Sequence, residues 1–354
     1  MRPSTSALLL SAFTAVLGCS SQGAESRTKS TALLGGSPDT EHPAVMALGH
    51  AVGVGQYCTG FLITPDLVLT AHHCATDPST LPSTLCTESG LMPAPVPASA
   101  MLVVPGPSSA TATTTAEVAA VHTLPDFESR TLCGNDLAVV ELKKPMMGTN
   151  PVGLRIDGPP ELGETLTLVG YGQTVLSDPN SHGERHSLSG VKVDHLGYEA
   201  KPPGAYTVEG EFTVDSGPCA GDSGGPALDA NGQSIGVMSR GPKSTCAHMA
   251  YTRVDAHASF LQALAQESSK RLGIDPPDWA LGSAGAGGAS GASGLGGAAS
   301  AGAAGAPAAT ASSSETEGGC AVQARGSGSP WLWSAALLAS LALRRRSSCG
   351  VARV

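Results

Sequence analysis

Gly221-Asp222-Ser223-Gly224-Gly225-Pro226 is the stretch against which the rest of this chain is read. A serine set between an acid and two glycines is how a backbone exposes a nucleophile beside its own amide donors. Glycine has no Cβ, tolerates positive φ and lets a substrate come close to the main chain. A loop of this kind can aim N–H groups at the oxyanion of an acyl-transfer intermediate, where one donor is worth on the order of 100 to 1,000-fold in rate. The competing reading is a glycine-rich turn that happens to hold a serine, in a chain with 45 glycines. Serine is a poor nucleophile near neutral pH without a base, and the base needs a third group to orient it.

Both partners lie upstream. The run Phe61-Leu62-Ile63-Thr64-Pro65-Asp66-Leu67-Val68-Leu69-Thr70 is strand-like and ends in Ala71-His72-His73-Cys74. Asp136 opens Asp136-Leu137-Ala138-Val139-Val140-Glu141-Leu142, a second strand pattern rich in β-branched residues. The order histidine, aspartate, serine resembles that of the chymotrypsin/trypsin family of serine endopeptidases. Other serine hydrolase folds use other orders.

That resemblance implies a role for each residue. Thr70-Ala71-His72-His73-Cys74 matches the histidine motif, which makes His73 the base. His72 stands where the family usually has alanine and reads as a packing variation. A metal site on the pair is not expected, because neighbours in an extended segment point to opposite faces. Asp136 would fix the tautomer of His73, Ser223 would attack, and the N–H groups of Gly221 and Ser223 would bind the oxyanion. No cofactor or metal is called for. The family's disulfides fall on Cys58 with Cys74 and on Cys219 with Cys246; Cys86 and Cys133 are left over as a third candidate pair whose connectivity sequence does not decide. The compartment implied is oxidising.

Leu33-Leu34-Gly35-Gly36 resembles the family's mature terminus, where a cut frees an α-amine that pairs with the aspartate before the nucleophile, here Asp222. A zymogen cut between Ala32 and Leu33 by an activating protease is the expectation, with an apolar strand start as the alternative. Gly217 falls at the base of the family's specificity pocket, and Asp215 lies too early in the chain to serve there. Ser239-Arg240-Gly241 replaces a Ser-Trp-Gly wall, so Ser239 and Gly241 could pair with a peptide as an added strand. Met249 could fill part of the pocket, which points to a small or medium apolar residue before the scissile bond.

The implied fold is all-β: two packed antiparallel six-stranded barrels with a C-terminal helix, over residues 33–272. Val254 to Leu272 reads as that helix, stopped by Gly273. The Pro/Ala-rich stretch Pro82 to Thr115 reads as a surface loop. The formal net charge of −9, without a basic cluster in the domain, argues against nucleic acid as a partner. A polypeptide is the expected substrate; a catalytically silent binding module and an esterase are the alternatives.

The ends suggest export. Residues 1–19 carry Arg2 and an apolar core, the pattern of a secretory signal. Val16-Leu17-Gly18-Cys19 resembles a lipobox that would lipidate Cys19, an ordinary signal peptide being the alternative. A propeptide would occupy 20–32. Residues 273–319 form a Gly/Ala/Ser-rich tether. Cys320, an apolar run from Trp331 to Leu343 and Arg344-Arg345-Arg346 make a tail, 320–354, that resembles the sorting signals of myxobacteria and other Gram-negative bacteria. Its apolar run is short of the roughly 20 residues that span a bilayer, and plain anchoring by a short helix is the alternative. The expected location is secreted or at the outer membrane or cell surface, with envelope sorting or lipidation machinery as a partner.

Overall fold

In the computed structural model, residues 33–51, 58–81, 86, 90–201 and 204–282 are described. The signal, propeptide and C-terminal tail, with Cys19, Ala32 and Cys320, lie outside them, as does the tether beyond Gly282.

The first half contributes β1 (Ser37–Pro38), β2 (Val45–His50), β3 (Cys58–Thr64), β4 (Leu67–Thr70), β5 (Met101–Val104), β6 (Val118–Thr123) and β7 (Ala138–Leu142). The second contributes β8 (Thr165–Gly170), β9 (His186–Leu196), β10 (Glu199–Lys201), β11 (Gly204–Thr207), β12 (Glu211–Val214), β13 (Pro226–Leu228), β14 (Ser234–Arg240), β15 (Met249–Arg253) and helix α1 (Ala258–Leu272). One sheet runs β5-β2-β3-β4-β7-β6, and the other β1-β9-β12-β15-β14-β13-β8. Pairing of β8 with β9 closes the second sheet into a six-stranded barrel, with β1 added outside on β9. The first sheet curls without a closing ladder; a single bridge from Val103 to Ala116 links its two edges. Register shifts place extra residues in β3, β6, β9 and β14 and mark bulges, which bend a strand and let a twisted sheet roll up.

The fully buried β3 explains how the halves meet. Its apolar residues belong to a core that also takes in Val169, Tyr171, Leu228, Val237 and Leu261 from the second half. Each large apolar side chain buried there stabilises by about 1.5–3 kcal/mol. A separate core inside the second barrel contains Leu33, Leu168, Phe212, Met249 and Tyr251.

Three sequence expectations change. The Pro82 to Thr115 stretch is not one surface loop: Met101–Val104 pairs with β2, burying Met101 and Val103, and Ser109 N–H donates to Gly183 O at 2.7 Å. The helix begins at Ala258 after a 3-10 turn over Asp255–His257. Gly273 does end it, in the left-handed region at φ 67°. The folded domain continues past 272, however. Residues 278–280 dock back, with Gln262 Nε2 donating to Trp279 O and Gln266 Nε2 to Ala280 O.

All three cysteine pairs are present as disulfides: Cys58–Cys74, Cys86–Cys133 and Cys219–Cys246.

Candidate active site

A cleft of about 550 Å³ lies on the surface where the two halves meet. His73 reaches it from the 3-10 turn His72–Ala75 after β4, and Ser223 from the loop before β13. Asp136 sits beneath, fully buried, in the loop before β7. Its Oδ1 accepts from the His73 main-chain N–H at 2.9 Å and its Oδ2 lies 2.7 Å from His73 Nδ1. Ser239 Oγ also donates to Oδ2, at 2.6 Å. Burial alone pushes the Asp136 carboxyl up, but the His73 charge and these hydrogen bonds outweigh it and hold the group at about 2. An ionised carboxylate only accepts, so Nδ1 must carry a proton, and in the neutral ring Nε2 then keeps a free lone pair. An imidazole in that state can take a proton from a hydroxyl. Ser223 shares the cleft wall with His73; the two are not directly hydrogen-bonded, a common situation before a substrate draws such groups together.

The serine loop is fixed from several sides. Asp222 is turned away from the cleft and fully buried, its Oδ1 accepting from Gly172 N–H and its Oδ2 from Cys219 N–H, each at 2.8 Å. Burial drives its carboxyl up to about 7, against these two hydrogen bonds. Among the described residues no cation pairs with it. Thr59, which sequence reasoning did not single out, clamps the loop: its N–H donates to Ser223 O at 2.7 Å and its hydroxyl to Gly221 O at 2.9 Å. The N–H groups of Gly221 and Ser223 make no hydrogen bond among the described residues. They are free to hold an oxyanion, with Gly221 at φ 103° supplying the turn.

Gly224 shows how tightly the loop is seated. A Cβ there would lie 2.1 Å from Thr59 O and 2.2 Å from Thr70 Oγ1, at φ 84°. Gly224→Ala is therefore expected to destabilise the fold by about 3 kcal/mol, from overpacking and left-handed strain together. A urea denaturation midpoint unchanged from wild type would contradict this.

The sequence-selected substrate residues separate. Gly241 and Ser239 line the cleft. Gly217 does not: a side chain there would meet Leu188, and its carbonyl accepts from Leu34 N–H at 2.9 Å. The pocket base expected there is instead a turn at φ 112°, outside the residues that line the cleft. Leu33 is buried beside this turn. Met249 lines the cleft, and its Sδ would lie 2.2 Å from a Cβ on Gly241, so it fills the space over that glycine.

Arg240 also reaches the cleft wall. It makes a paired contact with the carboxylate of Glu211, which is fully buried and also accepts from Gly134 and Val208 N–H. The arginine was visible in the sequence as a departure from tryptophan; its partner Glu211 was not.

His72 faces away from the cleft, with Nε2 2.9 Å from Pro93 O and its ring 5.4 Å from that of Phe127. The pair sits in a 3-10 turn, not the extended segment expected. Cys58, His73 and Cys74 bring potential metal-binding atoms together, but the disulfide between the cysteines leaves no thiolate to bind an ion.

A profile of the trypsin family matches residues 34–261. The chain is 25% identical over 251 residues to a trypsin of Sarcophaga bullata, spanning 65% of this chain and 85% of the relative. It is 28% identical over 238 residues to trypsin iota of Drosophila melanogaster, with the same two shares, 65% and 85%. A solved mouse neuropsin, a serine protease expressed in the limbic system, overlays at a TM-score of 0.48 and 19% identity, covering 65% of this chain and 98% of its own.

Proposed function

Because this chain belongs to the trypsin family and is a serine-type endopeptidase, we propose that His73, Asp136 and Ser223 cleave peptide bonds through an acyl-enzyme. The observation that carries this is the Asp136-held imidazole on the same cleft wall as Ser223 and two unengaged N–H groups. His73 Nε2 removes the Ser223 proton as Oγ bonds to the scissile carbonyl carbon. The Gly221 and Ser223 N–H groups stabilise the resulting oxyanion. Breakdown of the intermediate sends the His73 proton to the leaving amine. Water, deprotonated by the same imidazole, then releases the acid and restores Ser223.

Two finer readings go with it. A cut between Ala32 and Leu33 frees an ammonium for Asp222, a buried carboxylate with no other cation among the described residues; N-terminal sequencing of active protein that starts elsewhere contradicts this reading. The protein is exported and held at the envelope by its tail, which fractionation of cells expressing the full chain tests.

The cleft lining carries no carboxylate among the described residues, so a Lys or Arg side chain has nothing to pair with there. With Met249 over Gly241, the pocket suits a small apolar residue before the scissile bond. A peptide-library cleavage profile tests this and separates a peptidase from an esterase of the same chemistry. Met249→Ala is expected to raise kcat/KM for leucine relative to alanine at that position by at least about tenfold, the range that methylene-sized pocket changes command. An unchanged ratio would contradict the assignment of Met249.

A further inference from the structure

The segment that places Met249 is unusual in its backbone. Cys246 and His248 have φ of 49° and 53°, the left-handed region that residues with a Cβ seldom enter. Such conformations persist where surrounding contacts over-determine them. Cys246 has its disulfide to Cys219, and its N–H donates to Pro242 O at 2.9 Å. His248 is held differently, from outside the pocket. Its ring is more than half exposed, yet Nδ1 pairs with the Asp194 carboxylate on β9. Asp194 Oδ1 in turn accepts from Thr213 Oγ1 on β12. The carbonyl of His248 accepts from Tyr206 Oη on β11, whose own main-chain carbonyl takes a hydrogen bond from Arg240 Nη2 at 2.7 Å. His248 itself is not part of the cleft wall; its chain neighbour Met249 is.

We infer that the His248–Asp194 pair is a latch that sets cleavage preference from outside the cleft: it holds His248 left-handed and thereby keeps Met249 seated over Gly241. The inference rests on the reading of Met249 as the residue that narrows the pocket. Its physical content is a contest. The Cβ of His248 drives the backbone out of the left-handed region, and the close contact between its ring and the Asp194 carboxylate keeps it in. Releasing the pair lets the segment relax and withdraws Met249 from the space a larger substrate side chain needs. His248 and Asp194 are positioning residues in this account, because neither touches the reacting atoms.

The strain argument yields a test that simple loss of a contact does not. His248→Ala removes the pair and keeps the Cβ, so the segment should relax. His248→Gly removes the pair and the strain together, since glycine is at ease at this φ, so Met249 should stay. Asp194→Ala leaves His248 intact and removes its holder. The readout is the ratio of kcat/KM for two peptides that differ only in leucine or alanine before the scissile bond, with each protein normalised to its fluorophosphonate-titrated active fraction.

His248→Ala and Asp194→Ala are expected to raise the leucine-to-alanine ratio about tenfold, and His248→Gly to stay within about twofold of wild type. Ratios unchanged in both alanine variants overturn the latch. So does a His248→Gly ratio that moves as far as His248→Ala, since strain would then not be the coupling. Should one alanine variant give no titratable protein, the other decides. A wild-type enzyme that already prefers leucine, or a Met249→Ala variant with an unmoved ratio, instead overturns the pocket reading beneath the latch.

Discussion

Ser223→Ala is expected to abolish fluorophosphonate labelling and to lower peptidase kcat by about a millionfold, the loss seen where a nucleophile acts as one unit with its base. His73→Ala should cost nearly as much, and the double variant little more than either alone, because each residue is useless without the other. Asp136→Asn should fall short of that, at about 10⁴-fold. The geometry gives the reason for the difference. Asp136 forms no bond to substrate; it fixes the proton on His73 Nδ1 at 2.7 Å. An asparagine there can present its N–H₂ to the ring and favour the wrong tautomer, leaving position intact and protonation reversed. The Ser239 hydroxyl, which donates to the same oxygen at 2.6 Å, helps hold the carboxylate ionised. Ser239→Ala should therefore raise the pH at which Asp136 takes up its proton while changing kcat at the optimum much less. Retained labelling of the Ser223→Ala variant, or additive losses in the double variant, would remove the basis for the assigned roles.

The residues of the cleft were readable where chemistry demands a local sequence. A serine beside free amides needs glycines next to it, and a buried acid needs a histidine that ends a strand. Thr59 and Glu211 left no such trace. Thr59 looks like an ordinary strand residue between Cys58 and Gly60, and its work is done on a loop far along the chain. Glu211 reads as a solvated charge at a strand start, yet it is fully buried because Arg240 arrives opposite it. Their roles depend on which strands become neighbours. The same holds for Met101–Val104, whose four residues are too few for a strand pattern to stand out from a Pro/Ala-rich surround. The free edge of β2 makes them a strand. Gly217 is the opposite case: its spacing from the serine is plain in the sequence, but the turn it makes at positive φ, apart from the cleft-lining residues, is not.

The uncut chain should lose stability as pH rises, in a window set by Asp222. Burial raises this carboxyl from an ordinary 3.8 to about 7 in the folded protein. Below pH 4 it is neutral in both states and folding is not opposed. Between about 4 and 7 the unfolded chain releases the proton and the folded chain retains it, so each unit of pH favours unfolding; above 7 both states are ionised and the loss levels off. The total is about 4 kcal/mol for a displacement of this size. Asp136, held low, acts in the other direction, but its contribution is lost only as pH falls from about 4 toward 2. His72 and His257, both lowered by burial, do intrude, since they withdraw stability as pH falls below their ordinary 6.5. Comparison with the Asp222→Asn variant cancels them. Its altered hydrogen bonds to Gly172 and Cys219 give an offset that does not vary with pH, so the difference in stability between wild type and this variant isolates one carboxyl. Measured by urea denaturation in a Ser223→Ala background, to prevent self-digestion, that difference should shift by about 4 kcal/mol between about pH 4 and 8 against the aspartate. Protein with Leu33 as its free N-terminus should show a much smaller shift, because the new ammonium stabilises the ionised form. Parallel curves for the two side chains in the uncut chain would show that Asp222 does not carry this cost. Equal shifts in cut and uncut protein would remove the link between Asp222 and the new terminus.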